Sequence, residues 1–296
     1  MTPRDLVELV LLAAIWGASF LFQRVAAPEF GPVPLVATRV GIAAVILLGL
    51  LVAQGGLRGV RTHWRSLLLL GAINTAIPFT LFAFATLHVT AGIASVLNGT
   101  VPLWAGAIAR FWFRERLGPN KTAGLLLGFV GVVMLVWRDG GRAGGPGVVA
   151  GLLAAFLYAI AAHLSRRRLA TVDPMVVAAG SQVGALLLTV GPAVALLPAT
   201  PISARAATAG ILLGVFCTGV AYVLFFRLIR RIGAMRTMSV SYLIPVFGML
   251  WGWVFLREGV TLRMGIGAAL VLAGVAFATG VLQPIPESAT VERRPA

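Results

Sequence analysis

Acidic side chains are scarce in this sequence: 9 Asp and Glu stand against 24 Lys and Arg in 296 residues. Asp5, Glu8, Glu29, Asp139, Asp173, Glu287 and Glu292 fall at the ends of apolar runs, in connections or in the C-terminal tail. Glu115 and Glu258 close apolar runs, each directly after an arginine, where a carboxylate can cap a neighbouring helix or pair locally. No carboxylate is centred in an apolar run. Carboxylates are the usual intramembrane carriers of H⁺ and Na⁺, because they alternate between charged and neutral forms. Their absence argues against a cation-extruding antiporter built on a buried acid. Transport without an imposed ion gradient is the expectation, with His163 the next group able to titrate near neutral pH.

Other chemistry is missing too. Cys217 is the only cysteine, so an intrachain disulfide and a cysteine metal site are both excluded. The three histidines, His63, His88 and His163, form no HExxH motif, and no acidic pair lies inside an apolar run. An intramembrane enzyme would need one or the other. There is no GxxxxGK[ST] loop to hold nucleotide, so no ATP-driven pump and no cofactor are expected. Only 11% of residues are charged, and the formal charge of +15 is spread in short clusters between apolar runs. No soluble face presents it, and nucleic acid is not expected as a partner.

Apolar side chains make up 59% of the chain, more than a soluble domain of this size can bury. The run "GILLGVFCTGVAYVLFF" at 210–226 carries no charge, and with its flanks it exceeds the ~20 residues that cross a bilayer. Cutting at charge clusters and Gly/Pro breaks predicts helices over about 5–24, 32–53, 66–86, 90–112, 120–138, 146–165, 173–197, 205–228, 236–256 and 261–282. The first run has no small-residue cleavage signature after it and is expected to be retained. With the N-terminus inside, 17 Lys and Arg fall on inner segments and 6 on outer ones, which predicts ten spans with both ends cytoplasmic. The tail, 283–296, is expected to be disordered.

The sequence also repeats itself. Arg114-Glu115 recurs as Arg257-Glu258, an offset of 143 residues. At that offset Gly71 meets Gly214, Thr75 meets Thr218, Pro102 meets Pro245, Gly124 meets Gly267 and Gly131 meets Gly274. Trp16 meets Tyr158 at an offset of 142. Two copies of a five-helix unit, 1–142 and 143–282, follow, and an odd helix count inserts the second copy upside down. Inverted repeats are characteristic of secondary transporters that open one midplane site to each side in turn.

Residues that could line such a site stand where proline interrupts a helix, since the carbonyl it frees is tolerable only in protein or beside water. Asn98 and Pro102 share a face of the fourth helix, and Ser241, Tyr242 and Pro245 mark the matching break in the ninth. Asn74 and Pro78, with Phe79 and Phe82, mark the third helix, and Thr218 and Tyr222 mark its partner. Trp16, Ser19, Gln23, Tyr158 and His163 add polar tips and aromatic faces from the first and sixth. Asn98, Ser241 and Tyr242 are expected to hold the substrate, with aromatic walls around it. Arg39 lies roughly two turns into the second helix, with Gln182 as its repeat partner; snorkelling to headgroups or bonding a loop carbonyl is its expected role, and meeting a substrate carboxylate the alternative. Trp251 and Trp253 look like interfacial belt residues. The glycines of "GLLLG" at 124–128, "GSQVG" at 180–184 and "GILLG" at 210–214 permit close helix approach, expected within the bundle before any dimer.

Four stretches carry a family resemblance. They are "IWGASF", "ATRVGIAAVILL", "NGTVPLWAGAIARFWFRERLGPNKTAGLLLGFVGVVML" and "YLIPVFGMLWGWVFLREGVTLRMGIGAALVLAGVAFATG". In that order and duplicated, they resemble the drug/metabolite transporter superfamily in its ten-helix EamA-type branch. The resemblance implies an all-α membrane protein of the bacterial inner membrane that exports small metabolites, amino acids foremost, with the aromatic candidates pointing to aromatic or bulky apolar ones. An exporter of drugs or toxic cations is the alternative, and a passive channel or scramblase is another. The expected partners are a small-molecule substrate and the bilayer, the chain acting as a monomer or weak dimer. The topology is testable with single cysteines in a Cys217→Ser background. A cysteine at position 59 should resist an impermeant thiol reagent added to intact cells, and labelling there contradicts the assignment.

Overall fold

In a computed structural model of the chain, the structure describes residues 2–115, 117–136 and 145–279. These residues form ten helical segments and a one-turn helix at Ala234–Thr237, with no strand among them. In chain order the segments are α1 (Pro3–Phe30), α2 (Pro32–Ala53), α3 (Leu57–His88), α4 (Ala91–Phe111), α5 (Pro119–Val136), α6 (Gly145–Arg168), α7 (Pro174–Ala195), α8 (Ala204–Ile232), α9 (Val240–Leu256) and α10 (Leu262–Thr279). Eight are long and apolar enough to cross a bilayer, and α5 and α9 are shorter apolar helices. The protein is an all-α membrane protein, in which each helix satisfies its backbone groups internally as lipid requires. The expected repeat boundary at 142–143 and the tail at 283–296 lie outside the described residues.

Helix starts follow from side chains that replace missing backbone partners. Thr2 and Asp5 form a reciprocal capping box at α1. Thr90, Asp173 and Ser203 accept first-turn N–H groups of α4, α7 and α8. Proline opens α1, α2 and α7, where its missing N–H costs nothing. Helix stops explain the doubled Arg-Glu pair. Arg114 and Arg257 both adopt left-handed backbone, φ 55° and 52°. Each following glutamate donates its backbone N–H to the carbonyl six residues earlier, Glu115 to Ala109 at 3.0 Å and Glu258 to Gly252 at 3.1 Å. A second feature shares the offset. A π-helical turn at Ala72–Ala76 in α3 matches one at Val215–Val220 in α8.

Four segments differ from the sequence expectation. α1 runs on to Phe30, because Pro28 falls in its last turn and Gly31, at φ 75°, makes the corner into α2. α3 begins at Leu57, since Arg58, Arg61 and Arg65 lie along one polar face of an amphipathic start that kinks at His63. In the ninth segment the helix passes unbroken through Pro245; the interruption lies earlier, between the one-turn helix and α9. Pro245 cannot donate to the Ser241 carbonyl one turn before it, yet the helix continues through it to Leu256. The fourth segment does break, at Thr100, and Pro102 sits in the first turn after it. Asn98 and Pro102 therefore do not share one continuous helix face.

The tightest packing joins α5 to α10. A Cβ at Gly131 would stand 2.7 Å from the Val271 nitrogen and 2.8 Å from the Gly267 carbonyl. A Cβ at Gly274 would collide with Gly128 and stand 2.6 Å from the Gly124 carbonyl. Backbone meets backbone here, as small residues permit in lipid. Gly180 and Gly184 likewise face α3, while Gly210 and Gly214 face α1 and α2, so all three glycine pairs are used within the chain.

Ion pairs define two faces. Where α1 starts and α8 ends, Glu8 meets Arg227 at 2.8 Å and Arg231 at 3.1 Å, and Asp5 meets Arg231 at 2.9 Å. On the far face Glu258 accepts the Ala91 N–H of α4 at 3.1 Å and lies 3.8 Å from Arg24 of α1. Arg24 also donates to the Thr86 carbonyl of α3, and Glu29 bonds Ser203 at the start of α8. Four helices are thus tied to the α9–α10 connection or to one another at that end.

The α5–α10 contact gives a stability test. Gly274→Ala should destabilise the protein by about 1–3 kcal/mol through overpacking. Gly265→Ala on the same helix, with nothing within 4 Å of the new Cβ, should be neutral or mildly stabilising. Thermal midpoints in detergent measure both, and equal midpoints contradict the packing.

Candidate functional site

The centre of the bundle is organised around Arg39 of α2. Its residue is 5% exposed, so it neither snorkels to headgroups nor reaches a loop. Nε donates to Thr218 Oγ1 at 2.8 Å, and that hydroxyl donates to the Leu213 carbonyl at 3.1 Å. The second bond spans the π turn of α8, which lacks the proline that follows the π turn of α3. Pro78 stands two residues after that first turn and cannot donate to the Asn74 carbonyl, so the widened turn absorbs the missing bond. The Arg39 guanidinium lies over the Phe79 ring, 3.6 Å from its centroid. Among the described residues no carboxylate pairs with it. The titratable groups around it are Tyr158, Cys217 and Tyr222, all uncharged near neutral pH.

The repeat-related position is built alike but left open. Gln182 of α7 is fully buried, and neither its Nε2 nor its Oε1 has a partner. Thr75, in the π turn of α3, is fully buried with its hydroxyl oxygen unpartnered. The Tyr222 hydroxyl faces the side chains of Asn74 and Gln182 without closing a hydrogen bond on Gln182. Asn74, Tyr158 and Tyr222 are half-buried although they lie deep between helices. The site offers one fixed cation, an amide, hydroxyls and no anion.

Aromatic rings wall this space. Tyr158 stacks on Phe82 at 6.0 Å and meets Phe79 edge-on at 6.5 Å, and Phe20 closes on Phe82 at 5.5 Å. Tyr222 stacks on Phe226 at 5.8 Å. Trp16 packs against Phe225 at 5.2 Å. Nearby on α1, Gln23 donates to the Ser19 carbonyl at 3.1 Å while its Oε1 has no partner.

The remaining candidates make their polar contacts elsewhere. Asn98 is half-buried at the α4 break, and Pro245 packs against Gly99 across it. The Ser95 hydroxyl donates to the Gly92 carbonyl at 2.7 Å and lies 3.4 Å from the Pro245 carbonyl. Ser241 and Tyr242 open α9, and the Tyr242 hydroxyl bonds Thr279 at the end of α10. His163 bonds the Ala159 carbonyl at 2.8 Å and stacks on Phe113 near the N-terminal face. A recess of about 700 Å³ lies elsewhere again: an open apolar groove between α1, α8 and α9, lined by Phe22, Leu212 and Phe255 among others. Its walls lack the convergent polar groups of the Arg39 region, and we place no binding role there. Thr75 was outside the sequence candidates, and Gln182 was named there only as the repeat partner of Arg39. The one sequence signal for them is the offset of 143 that relates Gln182 to Arg39 and Thr75 to Thr218.

Comparison with known proteins agrees with this architecture. The model of the EamA-like transporter family matches twice, over residues 6–137 and 145–280. An uncharacterized transporter of Archaeoglobus fulgidus is 23% identical, covering 91% of this chain and 96% of that one. The uncharacterized transporter YoaV of Bacillus subtilis is also 23% identical, over 91% and 94% of the two chains. A probable terminal-alkyne amino-acid exporter of Streptantibioticus cattleyicolor is 26% identical, over 90% of each. One solved protein structure superposes with a TM-score of 0.67 at 23% identity, covering 96% of this chain and all of its own, and so shares the fold. The chain belongs to the EamA-like transporter family.

Proposed function

We propose that the protein exports small metabolites, amino acids foremost, across a bacterial inner membrane by alternating access, with ten spans and both termini cytoplasmic. The observation that carries this reading is the difference between two related ends. On the far face Glu258 caps α4 beside Arg24, and its carboxylate is only 12% exposed. On the N-terminal face its counterpart Glu115 is exposed to solvent. In an inverted repeat these are one latch in two states: closed outside and released inside. Exchange of the two states would pass the central site from one face to the other. The paired π turns and paired left-handed arginines support the repeat, as do the two family matches.

The amino-acid reading draws on the Streptantibioticus relative and on a centre that joins polar groups to stacked rings. A carrier of lipophilic cations fits less well, because the fixed charge at the centre is positive. The test is counterflow into liposomes holding the purified protein, at equal pH on both sides, with labelled amino acids and lipophilic cations. Saturable exchange of amino acids is the expected result. Flux of cations alone, or flux that never saturates, contradicts the proposal.

A further inference from the structure

We infer that Arg39 is a binding residue for a carboxylate, so that the solutes this protein carries must present one to the bundle centre. The inference deepens the transport reading and rests on it only for the word carried; the binding claim stands separately. An arginine holds its proton at any pH a cell reaches, so Arg39 cannot escape burial by neutralising itself. Its guanidinium has five N–H groups, and one is spent on Thr218. The other four belong to two Nη atoms that make no hydrogen bond among the described residues. The edge that recognises carboxylates is therefore unpaired. Its plane is fixed by Phe79 on one side and by Thr218 at Nε. A charge held this rigidly without an acid is half of an ion pair, and a bidentate carboxylate is the anion its geometry fits.

Gln182 supplies the second recognition element. Both ends of its amide are buried and unpartnered, and the Thr75 hydroxyl shares that condition. Such groups carry a standing penalty that a ligand's polar atoms can relieve. The amide oxygen can accept from an ammonium and the amide nitrogen can donate to a carboxylate. The Phe82–Tyr158 stack offers a face to an apolar side chain. Charge also supplies a reason for the missing acids. A monocarboxylate bound at Arg39 brings the carrier's central charge to zero, and a neutral centre reorients in lipid without a co-transported ion. A zwitterion with its ammonium unpaired would retain one charge, so contacts of that group with Gln182 and the tyrosine faces are needed as well.

The experiment compares L-leucine, L-phenylalanine and L-threonine with their amides and their decarboxylated amines. Acetate and benzoate serve as carboxylates without an ammonium group. Binding is read by thermal shift of the detergent-purified protein, and transport by competition in counterflow. For whichever amino acids bind, the amide and the amine should bind at least about 30-fold more weakly, the lower range for leaving a buried charge unpaired. Arg39→Gln should reduce the preference for acid over amide to near parity, and Arg39→Lys should keep part of it. If Arg39→Gln does not fold, the ligand series on the natural protein still decides. Amides or amines binding as well as the acids overturn the inference and leave the transport reading intact. Failure of every carboxylate to bind also overturns it. Carboxylate binding without flux would leave Arg39 assigned and remove the carrier reading.

Discussion

A permanent cation inside a bundle with no acid to meet it is the constraint around which the protein's centre is arranged. Burying Arg39 without compensation would cost more than the folded state of a domain can spare. The structure offsets this with the Phe79 ring, which follows the π turn of α3, and with the Thr218 hydroxyl inside the π turn of α8. Thr218 stands inside the π turn of α8, and its hydroxyl donates to the Leu213 carbonyl, which orients that oxygen to accept from Nε. Loss of the π turn would leave the arginine with an aromatic face alone. The local backbone irregularity and the buried charge are therefore one feature.

The two halves share a scaffold and differ in their polar groups. Glycine contacts between α5 and α10, left-handed arginines at helix ends and π turns all occur in related pairs. Arginine occupies one central position and glutamine the other, so the site itself is asymmetric. Under the proposed alternating access, duplication would provide two alternative closures, one at each face, and the Arg39–Gln182 difference would provide a direction for the bound molecule within them. An apolar ligand would gain nothing from that difference. A molecule with a charged end and a neutral or cationic end would bind in one orientation.

How much of this was legible in the sequence depends on what kind of force sets each feature. Spanning helices were legible because lipid demands long apolar runs, and the ends agreed with capping residues such as Asp173 and Ser203 to within a few residues. The early start of α3 was hidden because arginine at 58, 61 and 65 reads as a loop until its spacing is placed on a helix face. Pro245 was misread as a break, since the helix continues through it to Leu256 although the Ser241 carbonyl loses its donor. Phe79, Phe82, Tyr158, Thr218 and Tyr222 do gather around Arg39. Asn98 lies at the α4 break and Ser241 and Tyr242 at the start of α9, where Tyr242 packs on the same cluster as Tyr158. Gln182 and Thr75 were silent alone; only unpartnered burial distinguishes them from packing residues.

Alternation between two closures is the central claim, and distances across the two ends measure it most directly. Spin labels at His88 and Gly259 bracket the Glu258 latch, and labels at Gly118 and Arg230 bracket the opposite end; all four positions are exposed. Double electron–electron resonance in liposomes would give both distance distributions with and without transported solute. The account predicts changes of opposite sign, the first pair separating as the second approaches. Distributions that stay fixed at both ends, or widen together, would contradict it.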